Sequence, residues 1–215
     1  EIGLPINMHA HFREGAFLKF LVGVFIENGW RGIVQAMPNT TAPILTGPQA
    51  LEYRDLILGA CRCAHSGEFM PAVSLQITPK TTVGMIEEAL KCGIWLFKVY
   101  PFMVTTNSEH GVSDYRQIVP VLKCLESRRI KCYDGRERNV VVQFHGESPK
   151  LEVEGLHKEA HFIENELQIV LDACPHLWIC LEHIRTDYAL WFLQKHGWRG
   201  KDDKRIFATV PIQYL

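Results

Sequence analysis

The sequence predicts an α/β fold built on parallel strands, and three observations carry that prediction. Short runs rich in apolar and β-branched residues alternate strictly with amphipathic runs at helical spacing. The strand-like runs are mostly continuous in their apolar character, as expected of parallel strands covered on both faces. The 215 residues are 47% apolar and 22% charged, which suits one folded domain over residues 1–215 with a sizeable core.

In chain order, the runs read as strands are Ile6–Phe12, Gly32–Met37, Met70–Ile77, Trp95–Tyr100, Asn139–Phe144, Trp178–Glu182 and Ile206–Ile212. Between them, apolar residues recur every three or four positions. The first stripe is Leu18, Leu21, Val22 and Phe25, and the second is Tyr53, Leu56, Ile57 and Ala60. The third is Val83, Ile86 and Leu90, with Thr82 as its N-cap and Gly93 just past its end. Ile118, Val121, Leu122 and Leu125 form the fourth, with Pro120 near its start. Ala160, Ile163, Leu167 and Val170 form the fifth; Ala189, Phe192 and Leu193, after Thr186, form a shorter sixth. Strand and helix in strict alternation fit either a doubly wound sheet or a (β/α)8 barrel. The charged segment Arg128–Arg138, with Gly135, reads as a surface loop. The polar segment Phe102–Ser113 follows the fourth strand and reads as a mobile lid.

Composition narrows the function classes. A formal net charge of −1 argues against a nucleic-acid binder that works through bulk positive charge. No apolar run is long enough to span a bilayer, and the N-terminus lacks a signal-peptide pattern. The chain begins without an initiator Met and almost directly on a strand, so removal of upstream residues is expected. Seven scattered cysteines read as reduced thiols of a cytoplasmic protein. Cys61 and Cys63 form a C-x-C, but no second pair at zinc-finger spacing accompanies it.

Chemistry concentrates at the strand ends. The first strand closes on His9-Ala10-His11-Phe12-Arg13. Residues two apart in a strand share a face, so two imidazoles there can hold a metal ion and the guanidinium an anion. Lys98 interrupts the apolar run Trp95–Tyr100. Two outcomes are open: it snorkels out at the strand end, or burial leaves a neutral amine that reacts with carbon dioxide to give a metal-bridging carbamate. His145 ends the fifth strand and His183 the sixth. Each alone is more often a structural histidine, but together with His9, His11 and Lys98 they gather on the face where barrel strand ends converge. His65, His110, His157, His161, His176 and His196 fall on helices or loops and read as solvated or locally bonded.

These residues sit in a specific series of motifs. His9-Ala10-His11-Phe12-Arg13-Glu14-Gly15 is followed by Met37-Pro38-Asn39-Thr40 and Phe97-Lys98-Val99-Tyr100-Pro101. Then come Thr105-Thr106-Asn107-Ser108, Phe144-His145-Gly146-Glu147 and Glu182-His183-Ile184. In this order and spacing the chain resembles the dihydroorotases, most nearly their compact bacterial-type branch, from Asn7 to Leu215. The resemblance implies a TIM (β/α)8 barrel of the metal-dependent amidohydrolase type, with about seven of the eight strands in this chain. It implies reversible cyclisation of N-carbamoyl-L-aspartate to dihydroorotate in pyrimidine biosynthesis, and a homodimer. By that likeness His9 and His11 bind one zinc, and His145 and His183 a second. Carboxylated Lys98 and a hydroxide bridge the two. Arg13 and Asn39 hold the substrate carboxylate, and Thr105 and Thr106 belong to the closing loop.

The pattern also departs from the family. The family's eighth strand carries an aspartate that ligates metal and shuttles the proton, whereas this chain ends at Pro211-Ile212-Gln213-Tyr214-Leu215. Asp187, Asp202 and Asp203 do not match that aspartate, and Gln213-Tyr214 stands where the family usually has Gln-His. An open barrel with an unpaired edge is therefore expected. A partial sequence, a partner chain carrying the rest, and a non-catalytic relative that binds metal or acts as a scaffold are the three explanations. A hydantoinase- or allantoinase-like cyclic amidase is the rival enzyme; the Thr-Thr-Asn-Ser loop and the short first motif favour dihydroorotase.

Overall fold

The structure, a computed structural model, describes residues 6–30, 32–63, 69–196 and 205–210. Its elements begin with β1 (Ile6–Ala10), α1 (Gly15–Glu27), β2 (Gly32–Ala36), α2 (Gly47–Cys63), β3 (Phe69–Ile77), α3 (Val83–Lys91) and β4 (Leu96–Val99). A 3-10 turn at Tyr115–Ile118 leads into α4 (Val119–Leu125), followed by β5 (Arg129–Lys131), β6 (Glu137–Asn139) and β7 (Val141–His145). The chain continues through α5 (His157–His161), a π turn (Phe162–Glu166), α6 (Leu167–Ala173), β8 (Ile179–Glu182), α7 (Asp187–His196) and β9 (Ile206–Ala208).

Seven strands form one parallel sheet in the order β1-β2-β3-β4-β7-β8-β9, with β1 and β9 as its edges among the described residues. Its two faces differ. Val34, Val73, Leu75, Phe97, Val142, Phe144 and Leu181 pack with residues of α1 to α4, α6, α7 and the π turn in one large core. The opposite face carries a small apolar cluster of Ala72, Leu96, Val141 and Cys180, to which no helix contributes. The sheet is thus helix-covered on one side only, the arrangement of a barrel wall rather than of a doubly wound sheet. Runs that read as continuously apolar hide this, because the uncovered face carries buried Gln35, Ser74, Gln76, Lys98, Gln143 and Glu182 among the apolar residues.

The helices form where the stripes place them. Thr82 caps α3, its hydroxyl accepting the Met85 N–H at 3.2 Å. Thr186 does the same for α7 through Ala189 N–H at 3.2 Å. Pro120 lies at the start of α4, where its missing N–H costs no helical bond. The fifth stripe is interrupted by the π turn, which three- and four-residue spacing does not reveal. Leu56 and Val83, placed on apolar stripes, are exposed.

Three sequence expectations are corrected. Arg128–Arg138 is not an irregular loop: β5 and β6 pair antiparallel as a hairpin. Gly135 supplies the turn's left-handed residue at φ +82° and Asp134 anchors it, accepting from Arg136 N–H at 3.1 Å and clamping the Arg138 guanidinium at 2.7 and 2.6 Å. β1 stops at Ala10 rather than Phe12, and its register with β2 shifts between Asn7 and Ala10. Arg13 has φ +58°, so the strand period that was to align His9, His11 and Arg13 does not reach Arg13. β9 is described to Ala208; Ile212, Gln213 and Tyr214 lie outside the described residues, as do Cys63's side chain, His65, Asp202 and Asp203. Among the described residues no helix is long and apolar enough to cross a membrane.

Candidate metal centre

Four imidazoles come together at the ends of three strands. His9 is the penultimate residue of β1 and lies within the register shift, and such an irregularity re-aims the side chain it carries. His9 Nε2 and His11 Nε2 are 3.0 Å apart. Two nitrogens held tetrahedrally at zinc–nitrogen distances of ~2.0–2.1 Å lie ~3.3 Å apart, so this spacing fits one shared cation. The His183 ring centre lies 5.3 Å from that of His9 and 4.5 Å from that of His145, which closes β7. His183, just past β8, has φ +43°, and its N–H is held by Thr209 Oγ1 at 2.9 Å. Strained backbone at such a position is typical of functional sites. The donor atoms of His9, Glu182 and His183 all lie within 4.8 Å of one another.

Burial keeps these rings neutral. Desolvation pushes His9 down to about 3, helped by Lys98, and His145 likewise to about 3. It pushes His183 to about 2 and His11 to about 4, with the surrounding imidazoles and Lys98 adding to it. Neutral imidazole is the form that donates a lone pair to a metal.

Lys98 does not snorkel. It projects from the centre of β4, is fully buried, pairs with the Glu182 carboxylate and lies 5.0 Å from the Tyr100 ring centre. Burial pushes its amine down to about 7. Gln76, its register partner on β3, has both amide atoms buried and without a hydrogen-bond partner among the described residues. Four neutral imidazoles, a buried amine of lowered pKa and a buried carboxylate form a donor set that fits divalent metal.

Arg13, Asn39 and Thr106, also picked out in the sequence, are linked to one another by hydrogen bonds. Arg13 Nη1 donates to the Asn39 carbonyl at 3.2 Å, and Asn39 Nδ2 donates to the Thr106 carbonyl at 3.1 Å. Tyr53 on α2 holds the left-handed Arg13 by donating to its carbonyl at 2.8 Å. The Phe102–Ser113 segment is tied down in this structure. Asn107 Nδ2 reaches the Asn39 carbonyl at 3.1 Å, and Phe102 and Val112 close its neck by backbone bonds. Gly111 is required there, because a Cβ would lie 2.6 Å from the Pro101 carbonyl. A cavity of about 950 Å³ opens over the site, lined by His9, His11, His145 and His183 with Tyr100 and Thr105. Arg13 and Asn39 do not line it.

Sequence reading missed Glu182, Gln143, Glu147 and Arg185. Glu147 and Arg185 line the cavity and pair with each other, and Glu147 Oε2 lies 3.6 Å from His145 Nε2. For Glu182 and Gln143 the available signal was the one that exposed Lys98, a polar residue inside an apolar strand; Glu147 and Arg185 lie in loops past β7 and β8 and carry no such signal.

Relatives share this arrangement of sequence and fold. No family model matches the chain. A dihydroorotase of Marinobacter nauticus is 33% identical over 98% of the chain, which covers 56% of that relative. One of Neisseria meningitidis serogroup C is 32% identical with the same coverage. A Saccharomyces cerevisiae dihydroorotase crystallised with 5-fluoroorotic acid superposes with TM-score 0.83 at 26% identity, covering 99% of this chain and 57% of that one. An Arthrobacter aurescens L-hydantoinase, with TM-score 0.69 at 13% identity over 98% of this chain and 47% of its own, shares the fold. The seven-stranded wall is accordingly part of a TIM barrel, and the chain resembles dihydroorotases in sequence and fold along nearly its whole length, while spanning about half the length of the curated relatives it matches.

Proposed function

We propose that this chain supplies the metal centre and part of the substrate pocket of a dihydroorotase, which cyclises N-carbamoyl-L-aspartate to dihydroorotate reversibly. The observation that carries the reading is the convergence of His9, His11, His145 and His183 on one cavity in a dihydroorotase-like fold, with Lys98 buried beside them on Glu182. In this reading His9 and His11 would hold one zinc and His145 and His183 a second, and Lys98, once carboxylated by carbon dioxide, would supply a further ligand to the pair. A bound metal pair supplies Lewis acidity for the amide carbonyl and a water acidic enough to ionise near neutral pH.

The chain's own residues bind and exclude. A guanidinium has five N–H donors, so the Arg13 bond to Asn39 leaves others for a substrate carboxylate, with Asn39 beside it. Thr105 borders the cavity and the loop that carries it limits entry of water. A proton acceptor is still needed, and no aspartate is among the described residues that line the cavity. The six described cysteines are free thiols, which supports a cytoplasmic location, and a homodimer belongs to the same reading.

The test is metal analysis with a cyclisation assay on the chain. Two zinc ions and dihydroorotate formation support the enzyme. Two zinc ions without turnover favour a partial chain or a degenerate relative that binds metal, and no zinc overturns both. Turnover of a hydantoin in place of dihydroorotate would move the assignment to the rival cyclic amidase.

A further inference from the structure

Below the imidazoles lies a chain of buried polar groups that connects four strands. Glu182, at the end of β8, is 1% exposed. Its Oε1 lies 3.1 Å from His9 Nδ1 and accepts the Gln143 Nε2 N–H at 3.2 Å. Gln143, on β7, also donates to Gln35 Oε1 at 2.8 Å, and Gln35, on β2, donates back to Gln143 Oε1. Glu182 Oε2 faces Lys98. The amides therefore have a fixed orientation: the two hydrogens of Gln143 Nε2 go to Gln35 and to Glu182.

This fixes the tautomer of His9. Glu182 Oε1 already accepts the Gln143 N–H and faces His9 Nδ1, so this geometry places the ring proton on Nδ1. Nε2 then keeps its lone pair, and Nε2 is the atom 3.0 Å from His11 Nε2. A metal-bound imidazole that donates its other N–H to a carboxylate is a recurrent device; it sets ring orientation and raises the basicity of the ligating nitrogen.

We propose that Glu182 is the positioning residue of His9, holding Nε2 toward the metal, and that the Gln35–Gln143 pair in turn holds Glu182. The proposal rests on the metal-centre reading above and adds to it a residue outside the set of five.

The experiment uses the full chain and zinc ion alone. Long-range 15N–1H spectra of the metal-free protein, with the His9 signals identified by their loss in His9→Gln, are expected to show His9 protonated at Nδ1. Protonation at Nε2 overturns the proposal without any Glu182 variant. Chelator competition is then expected to show zinc held ~10–100-fold more weakly by Glu182→Gln, the usual loss when such a partner is removed. Glu182→Asp should recover part of that loss, and the far-UV spectrum should be unchanged. Zinc held equally by wild type and Glu182→Gln overturns this proposal alone. A wild type that binds no zinc overturns the metal-centre reading and this proposal with it.

Discussion

Lys98 and Glu182 are the two most consequential side chains in the centre, because both are buried and they pair with each other. Removing one partner of a buried pair leaves an uncompensated charge, at a cost of ~3–5 kcal/mol. Lys98→Met is therefore expected to lower stability by that amount in urea denaturation, and Lys98→Met with Glu182→Met to regain most of it. A single variant as stable as wild type would mean that the two groups are not paired. Lys98 stood out in the sequence because a charge inside an apolar strand is anomalous, and the histidines stood out because they recur at strand ends. Glu182 was equally anomalous, but its partner His9 lies 173 residues away, and no local period encodes a contact across strands. Arg13 was misplaced for a related reason: its left-handed backbone is held by Tyr53, a tertiary contact from a helix that read only as core.

Among the elements, the helix that follows β7 does more than cover the sheet. Its π turn separates α5 from α6, and two buried carboxylates, Glu159 and Glu166, reach from it to the loops that carry the imidazoles. Glu159 accepts the Arg185 N–H at 3.2 Å and the Thr186 hydroxyl, just past His183. Glu166 accepts the Ser148 hydroxyl at 2.9 Å, three residues past His145. Glu159→Ala would leave the Arg185 N–H without its acceptor and is expected to cost ~1–3 kcal/mol, and to weaken zinc binding by loosening His183. Glu159→Gln, which keeps an acceptor, should lose much less; equal losses for the two in thermal unfolding would argue against a hydrogen-bonding role. The strands and helices themselves were legible, since period and caps are local properties. The β5–β6 hairpin was not, because its strands are short and charged, and only the Asp134-Gly135 pair signalled the turn.

At the scale of the whole molecule, the parallel sheet has one face for helices and one for chemistry, and the second face is expensive. It half-buries four imidazoles, and desolvation holds them neutral. Their values in the fold, from about 2 to about 4, lie below the unfolded value of 6.5. The unfolded chain therefore binds more protons below pH 6.5, so stability is complete above that pH and is lost as pH falls toward 4 and below. The metal-free protein is expected to melt at lower temperature at pH 5 than at pH 7.5; a midpoint unchanged between them would contradict neutral buried rings. Zinc in excess should raise the midpoint at pH 7.5, since a ligand that binds only the folded state stabilises it by ~2.7 kcal/mol at a hundredfold excess over its Kd.

Anomalous diffraction at the zinc edge, from crystals grown with zinc and bicarbonate, tests the central claim most directly. Two peaks are expected, one shared by His9 and His11 and one by His145 and His183, with continuous density from Lys98 Nζ bridging them. No peak at these imidazoles, or a bare Lys98 amine still seated on Glu182 beside a filled site, would contradict it.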